Sequence, residues 1–219
     1  MTFDEFIASF QKELSGPLPG RDFQLAMSSM RRILELMKSG TQPDAQKSSV
    51  LILLFPYSAT GIPKTVLIRR PAYGGVHSGQ ISLPGGRHEV HDHDLAGTAL
   101  RETREEIGLD TGKVSLIGEL TELYIPPSNY LVQPFVGYMK EVPVFRRDPR
   151  EVEQIIEIRI RDLLDEKNRT HRQIRIRSGI RIRVPSFVID GNIIWGATAM
   201  ILNEFKAIAG RIPLRNSSG

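Results

Sequence analysis

The chain has 219 residues, of which 40% are hydrophobic and 25% charged, values typical of a soluble globular protein with one large domain or two small ones. It contains no cysteine, which excludes disulfides and thiolate zinc sites, and its longest apolar run, residues 50–55, is too short to cross a bilayer. Its net charge of +4 is explained as well by a phosphorylated small-molecule substrate as by nucleic acid, so nucleic acid is not an expected partner.

The N-terminal part of the chain predicts two helices, over residues 3–14 and 21–38, separated by a Gly- and Pro-containing break. Residues 39–47 are polar and read as a linker. We therefore predict an N-terminal helical extension with its linker over 1–47 and a main domain over 48–219. The N-terminus has no basic region followed by an apolar signal core, so a cytoplasmic location is expected. The pattern leaves a homodimer open.

The main domain alternates strands and helices. Strands are predicted over 50–55, 65–69, 114–118 and 131–139, and residues 152–160 fit either a strand or a short helix. A helix is predicted over 95–107, a helical turn over 162–165 and a closing helix over 193–209. Mixed strands flanked by helices indicate the α/β class, arranged as an α/β/α sandwich.

The helix predicted over 95–107 carries the most informative motif. Asp94 is a suitable N-cap and Gly108 a suitable C-terminal stop. Beside its apolar stripe it presents three glutamates at three- and four-residue spacing, namely Glu102, Glu105 and Glu106. Crowded carboxylates need a positive partner, and hard divalent cations prefer carboxylate oxygens.

A glycine pair lies upstream of this helix, in the segment Leu83-Pro84-Gly85-Gly86-Arg87. Paired glycines allow backbone N–H groups to approach a ligand closely. A solvated acidic helix face would explain the glutamates alone, but glycine loop and carboxylates together favour a metal-bound phosphate chain. Of the histidines His77, His88, His91 and His93, three crowd a loop without helical ligand spacing, and the chain has no cysteine, so a histidine zinc site is not expected.

The string from Arg101 to Leu109 resembles the second half of the Nudix box, Arg-Glu-apolar-x-Glu-Glu-x-Gly-apolar. Thr103 stands where an aliphatic residue is usual, and Gly86 lies one residue further from Arg101 than the standard spacing. The early glutamate of the box falls at His93, which is flanked by Asp92 and Asp94. In the family that glutamate braces the arginine, so the departure leaves open which residue braces Arg101.

Residues 77–86, His-Ser-Gly-Gln-Ile-Ser-Leu-Pro-Gly-Gly, are similar to the segment before the box in the coenzyme A diphosphatase branch of this family. Arg70 and Gly79 also fit the signature of that branch, whereas Gly75 replaces its second arginine. The likeness covers about residues 48–208. It implies the Nudix α/β/α fold with a mixed sheet.

The resemblance also implies roles for individual residues. Glu102, Glu105 and Glu106 would hold Mg²⁺ or Mn²⁺, and Glu105 is the first candidate for the catalytic base, with Glu122 or Glu153 as alternatives outside the box. Arg101 is expected to act as a brace beside Glu105 rather than as a substrate clamp. The residues expected to contact substrate are Arg70, His77, Gln80, Ser82, Gly85 and Gly86.

The implied reaction is hydrolysis of the diphosphate linkage of coenzyme A (CoA) or acyl-CoA, giving 3′,5′-ADP and a 4′-phosphopantetheine. The alternative substrates are other nucleoside diphosphate compounds, such as ADP-ribose or a nucleotide sugar. A non-catalytic nucleotide sensor or RNA-binding protein on the same scaffold is the third hypothesis. The intact glutamates favour an enzyme, because a binding protein does not need so costly a carboxylate cluster.

One further segment, residues 173–184, alternates apolar residues and arginines on both sides of Ser178-Gly179. This pattern predicts a β-hairpin whose arginines share one face, namely Arg175, Arg177, Arg181 and Arg183. A solvated strand face is the simpler explanation. The functional alternative is a cationic face that receives a phosphate group.

Overall fold

The structure is a computed structural model that describes residues 1–30, 33–34, 40, 42–57, 63–71, 79–175 and 179–213. The α-helices are α1 (Phe3–Leu14), α2 (Arg21–Leu25), α3 (Leu95–Ile107), α4 (Ile160–Leu164) and α5 (Gly196–Ala209). The strands are β1 (Gln46–Pro56), β2 (Pro63–Arg69), β3 (Ile81–Ser82), β4 (Gly85–Arg87), β5 (Ser115–Glu119), β6 (Leu123–Ile125), β7 (Tyr130–Tyr138), β8 (Gln154–Arg159), β9 (Arg169–Arg175), β10 (Arg181–Ile189) and β11 (Asn192–Trp195). No helix in these ranges is long and apolar enough to cross a membrane.

The main sheet is mixed and centres on β1. Its strand order is β3-β2-β1-β7-β5, with β4 on β1, β6 on β7 and β8 on β2. The β1–β7 pair is parallel, while β2, β4 and β8 run antiparallel to their neighbours. A separate three-stranded antiparallel sheet has the order β9-β10-β11.

Strand β1 separates two apolar layers because successive side chains point to opposite faces of the sheet. Leu51, Leu53 and Phe55 pack in one core cluster with the buried face of α3. Ile52 and Leu54 pack in the other cluster with α1 and α5. Helices therefore cover both faces of the sheet, and the predicted α/β/α sandwich with an N-terminal helix is confirmed.

The N-terminal extension packs into the same core as the rest of the chain. Phe10 of α1 is fully buried, and its ring centroid lies 4.8 Å from that of Phe205 in α5. The buried carboxylate of Glu204 accepts hydrogen bonds from the N–H of Gly20 (3.1 Å) and from Nε2 of Gln24 (2.8 Å). Strand β1 begins at Gln46, so the main sheet starts two residues before residue 48, where the main domain was predicted to begin. The division of the chain into two domains stays a prediction.

Two helix predictions were wrong in extent. The helix predicted over 21–38 stops at Leu25 in α2, and turns follow before helical residues recur at 30 and 33–34; residues 31–32 and 35–39 lie outside the described ranges. The closing helix does not begin at residue 193, because residues 192–195 form β11 and α5 begins at Gly196. The ambiguous segment 152–160 is mainly the strand β8, followed by the short helix α4.

Candidate active site

Helix α3 carries the predicted glutamates, and both of its ends match the expectation from sequence. Asp94 caps the start, where its Oδ1 accepts a hydrogen bond from the N–H of Gly97 at 2.7 Å. Gly108 ends the helix in the left-handed conformation with φ 65°. Thr103, the departure within the apolar stripe, is buried and donates its hydroxyl to the carbonyl of Ala99. The helix can therefore present its glutamates from a fixed position.

Glu106 is the most deeply buried of the three glutamates, with 1% of its side chain exposed. Its Oε2 accepts a hydrogen bond from the N–H of Gly85 at 2.9 Å, and its Oε1 lies 3.1 Å from Nη2 of Arg70. Burial raises the pKa of Glu106 to about 8, although Arg70 and the Gly85 N–H act in the opposite direction. Burial therefore disfavours the ionised form of this carboxyl, and a positive charge close to it would favour ionisation.

The glycine pair brings the backbone of β4 against these carboxylates. Gly85 has φ +145°, and a Cβ added there would overlap the backbone of Ser49 and Val50. A Cβ added to Gly86 would overlap the carboxylate of Glu102. Residue 85 therefore requires glycine, because the obstacle there is backbone, whereas a side chain at residue 86 would displace the carboxylate of Glu102. A contact between either glycine and substrate stays a prediction.

Arg101 is bound on all three of its guanidinium nitrogens. Nε and Nη2 donate to the two carboxylate oxygens of Asp92 at 2.7 and 2.9 Å, and Nη2 also donates to the carbonyl of Arg87. Nη1 donates to Glu102 (3.0 Å) and to Glu105 (2.9 Å). Hydrogen bonding to Arg101 holds the pKa of Asp92 well below its ordinary range, and the same pair raises the pKa of Arg101.

The bracing residue left open by the sequence is thus Asp92. It precedes by one residue the position of the box glutamate, where His93 stands, and the shift accompanies the extra residue between Gly86 and Arg101. Thr98 also donates its hydroxyl to Asp92 (2.9 Å). Because every guanidinium nitrogen of Arg101 is occupied within the protein, its geometry is that of a brace for Glu102 and Glu105.

Three carboxylates converge beside Arg101. Glu102, Glu106 and Glu151 each present an oxygen, and these three oxygens lie within 4.8 Å of one another. Burial raises the pKa of Glu102 as well. An all-carboxylate group that is partly buried and partly open to solvent fits the oxygen preference of Mg²⁺ and Mn²⁺. It is the one such group found within the described ranges, and it contains no histidine.

Glu105 lies apart from this group. One of its oxygens accepts from Arg101, and 49% of its side chain is exposed. Glu151 was not predicted; it lies two residues before Glu153, one of the two alternatives considered outside the box, and the only sequence signal was the acidic pair flanking Val152. Glu122 and Glu153 are exposed and are not members of the carboxylate group.

Some of the residues predicted to contact substrate lie within the described ranges and others do not. The backbone carbonyl of Gln80 accepts from the N–H of Arg70 at 3.0 Å, so these two residues are neighbours. The Ser82 hydroxyl is buried without a hydrogen-bond partner among the described residues. His77, and with it Gly75, lies outside the described residues. Contact of Gln80, Ser82 and His77 with substrate stays a prediction.

The predicted arginine hairpin is present as β9 and β10. Arg175 pairs with Arg181, and Ile174 pairs with Ile182 on the opposite face. Arg175, Arg181 and Arg183 are exposed, and none of the three forms an ion pair with a residue that the structure describes. Arg177 lies outside those residues. The antiparallel pairing of β9 with β10, and the alternation within these two strands, are confirmed, and residues 176–178 lie outside the described residues. A role in binding phosphate stays a prediction.

Comparison with known proteins gives a consistent assignment. Residues 46–175 match the protein-family model of the NUDIX domain. The chain is 32% identical over 152 residues to the Nudix hydrolase NudL of Photorhabdus laumondii, covering 69% of this chain and 80% of that protein. It is 33% identical over the same length to NudL of Yersinia pestis, with coverage of 69% and 75%.

Solved structures show the same fold at low sequence identity. The Nudix hydrolase RenU of M. smegmatis superposes with a TM-score of 0.54 at 16% identity, covering 78% of this chain and 90% of that one. An Ap4A hydrolase of C. elegans, in a binary complex, gives a TM-score of 0.52 at 13% identity, with coverage of 76% and 99%.

Proposed function

The chain belongs to the Nudix family and is a Nudix hydrolase, an enzyme acting on nucleoside diphosphate-linked compounds, and from this premise we propose that it hydrolyses coenzyme A or acyl-CoA. The products would be 3′,5′-ADP and a 4′-phosphopantetheine. Support for CoA comes from the likeness of residues 77–86, and of Arg70 and Gly79, to the coenzyme A diphosphatase branch.

The observation that carries the site assignment is the convergence of Glu102, Glu106 and Glu151 within 4.8 Å. We propose that these carboxylates hold Mg²⁺ or Mn²⁺, as Nudix hydrolases generally use divalent metals. When bound, such an ion would screen the phosphate charges and lower the pKa of a bound water. Arg101 keeps the Glu102 carboxylate in place for this role.

Arg70 is proposed to contact the diphosphate of the substrate. Its Nη2 is occupied by Glu106 Oε1 (3.1 Å) and by the carbonyl of Gly85 (3.2 Å). Its Nε and Nη1 have no hydrogen-bond partner in the described part of the chain, and 28% of the side chain is exposed. Because the guanidinium is held at one nitrogen, its other N–H groups can donate to a phosphate of the substrate. The fork of N–H donors in arginine matches the geometry of phosphate oxygens.

Glu105 is proposed as the catalytic base. It is half exposed, and Arg101 fixes one of its oxygens at 2.9 Å, which leaves the other free to accept a proton from water. Glu151 is the competing candidate, because it is exposed and belongs to the carboxylate group. Replacement of the base by glutamine should lower kcat about 10²- to 10⁴-fold. Near-full turnover by Glu105→Gln, with loss in Glu151→Gln, would transfer the role to Glu151.

The substrate assignment is tested by measuring kcat/KM for CoA, dephospho-CoA, ADP-ribose and a nucleotide sugar with Mg²⁺ or Mn²⁺. We expect CoA to give the highest value and excess chelator to abolish turnover. Cleavage of ADP-ribose or the nucleotide sugar with CoA left intact would assign the enzyme to another nucleoside diphosphate substrate. Full turnover in chelator would contradict the metal site.

A further inference from the structure

Glu151 reaches the carboxylate group from a loop that is fastened to the end of α3. This segment, residues 145–152, is called the Glu151 loop below. The N–H of Arg146 donates to the carbonyl of Ile107 at 2.8 Å, and the N–H of Asp148 donates to the carbonyl of Glu106 at 2.9 Å. Carbonyls in the last turn of a helix have no partner within the helix, so the loop satisfies groups that would otherwise need water.

Within the loop, Asp148 fixes the turn that carries Glu151. Its backbone carbonyl accepts from the N–H of Glu151 (3.1 Å) and of Val152 (2.8 Å). Its carboxylate accepts from the N–H of Arg150 at 2.9 Å. Val152, next to Glu151, is fully buried and therefore anchors the far end of the loop in the core.

Gly108 lies directly under the loop. A Cβ added at Gly108 would stand 2.7 Å from the carbonyl oxygen of Arg146 and 2.9 Å from its Cβ, and φ at Gly108 is +65°. The obstacle is the backbone of the loop rather than the end of a flexible side chain. A side chain at residue 108 would therefore displace the loop from the helix end.

We infer that docking of the Glu151 loop on α3 assembles the carboxylate group, with Gly108 and Asp148 as positioning residues for Glu151. The inference rests on the proposed metal-binding role of this group. Helix α3 supplies only two of the three carboxylates, and Glu151, 45 positions after Glu106, joins them because its loop is docked on the end of the helix. The site then depends on the tertiary contact between loop and helix as well as on the box.

Mn²⁺ affinity, measured from the electron paramagnetic resonance of the free ion, tests this inference without relying on turnover. Gly108→Ala and Glu151→Gln should each weaken binding about ten- to a hundredfold. The double variant should bind no more weakly than Glu151→Gln, because the first change acts only through Glu151. Gly97→Ala in the same helix is the matched control, since its added Cβ meets Asp94 Oδ1 at 3.4 Å and should leave affinity unchanged.

Hydrogen exchange of the metal-free protein gives a second readout. In Gly108→Ala the amides of Arg146 and Asp148 should exchange faster than in wild type, whereas Glu151→Gln should leave them protected. If Gly108→Ala does not fold, Asp148→Ala should lower Mn²⁺ affinity in the same direction.

Unchanged affinity in a folded Gly108→Ala or, failing that variant, in Asp148→Ala would overturn the inference. A loss in Gly108→Ala that adds to the loss in Glu151→Gln would overturn it too. Absence of Mn²⁺ binding by wild type would instead contradict the proposed function.

Discussion

The pair formed by Asp92 and Arg101 offers a quantitative test of how the box helix is held. Asp92→Asn keeps the shape of the side chain but removes its charge and replaces one acceptor with a donor facing the guanidinium. Nε and Nη2 of Arg101 donate to the two Asp92 oxygens at 2.7 and 2.9 Å, and only 3% of the Asp92 side chain is exposed. Two charge-assisted bonds at such a site, with Glu102 and Glu105 still bound to Arg101, correspond to a loss of about 3 kcal/mol in the free energy of unfolding.

Urea unfolding at neutral pH measures this loss, and Asp94→Asn supplies the control. The control makes the same chemical change two residues away, at an exposed N-cap where asparagine serves as well as aspartate. Its effect should stay below about 0.5 kcal/mol. Equal effects of the two variants would refute the assignment of Asp92 as the brace.

The contribution of Asp92 to the free energy of unfolding should change with pH in a direction that can be checked. The folded-state pKa of Asp92 lies below its ordinary value of 3.8, so its contribution is fully present above the unfolded pKa and is lost as the pH falls through the folded pKa. The gap in unfolding free energy between wild type and Asp92→Asn should be constant from about pH 5 to 8 and shrink below about pH 4. A gap that widens on acidification would contradict the pairing.

Three further predictions concern the core, the metal site and the hairpin. Phe10→Ala should cost about 3–5 kcal/mol in urea unfolding because Phe10 is fully buried against Phe205; a loss below about 1 kcal/mol would show that the extension is loosely packed. Because the pKa of Glu106 is raised to about 8, Mn²⁺ affinity measured by calorimetry should rise about tenfold per pH unit up to that pH; Glu106→Gln should bind weakly at every pH, and a flat wild-type profile would contradict the assignment. Replacing Arg175 and Arg181 by alanine should raise KM for CoA about ten- to a hundredfold and leave KM for dephospho-CoA unchanged if the hairpin binds the 3′-phosphate. Equal effects on both substrates, or none, would identify a solvated strand face.

Local signals made the central helix predictable from sequence. The limits of α3 follow from a capping aspartate, an apolar stripe and a terminal glycine, all of which act within a few residues. The arginine hairpin was predictable for the same reason, since alternation on both sides of a Ser-Gly pair fixes both strands and their faces. The elements predicted best are those in which local preference agrees with the tertiary structure.

The β10–β11 hairpin was missed although its signal was present. Asp190 and Gly191 both have positive φ, at 49° and 77°, and they connect the paired residues Ile189 and Asn192. An Asp-Gly pair between apolar runs is a strong signal for a two-residue turn. The apolar residues of β11 directly precede the apolar residues of α5, so the two segments look like one helical pattern. For this reason the closing helix was predicted to begin within β11.

Two features of the site depended on contacts distant in sequence. Glu151 joins Glu102 and Glu106 only because its loop docks on the end of α3, which no local pattern reveals. Asp92, one residue before the position of the box glutamate, braces Arg101 in place of that glutamate. Asp94 does not take this role because its carboxylate caps the start of α3. The sequence shows an aspartate on each side of His93, and the three-dimensional position of Arg101 decides which of them is the brace.

Product analysis in ¹⁸O-labelled water tests the central claim most directly, namely that a diphosphate linkage of CoA is hydrolysed at the carboxylate group. Wild type with Mn²⁺ should convert CoA into equimolar 3′,5′-ADP and 4′-phosphopantetheine, with one ¹⁸O atom incorporated between the two products. Glu106→Gln should form these products at least about a hundredfold more slowly, because glutamine cannot supply the negative charge that a bound cation would need from this position. Intact CoA with the wild-type enzyme, or wild-type rates with Glu106→Gln, would contradict the account.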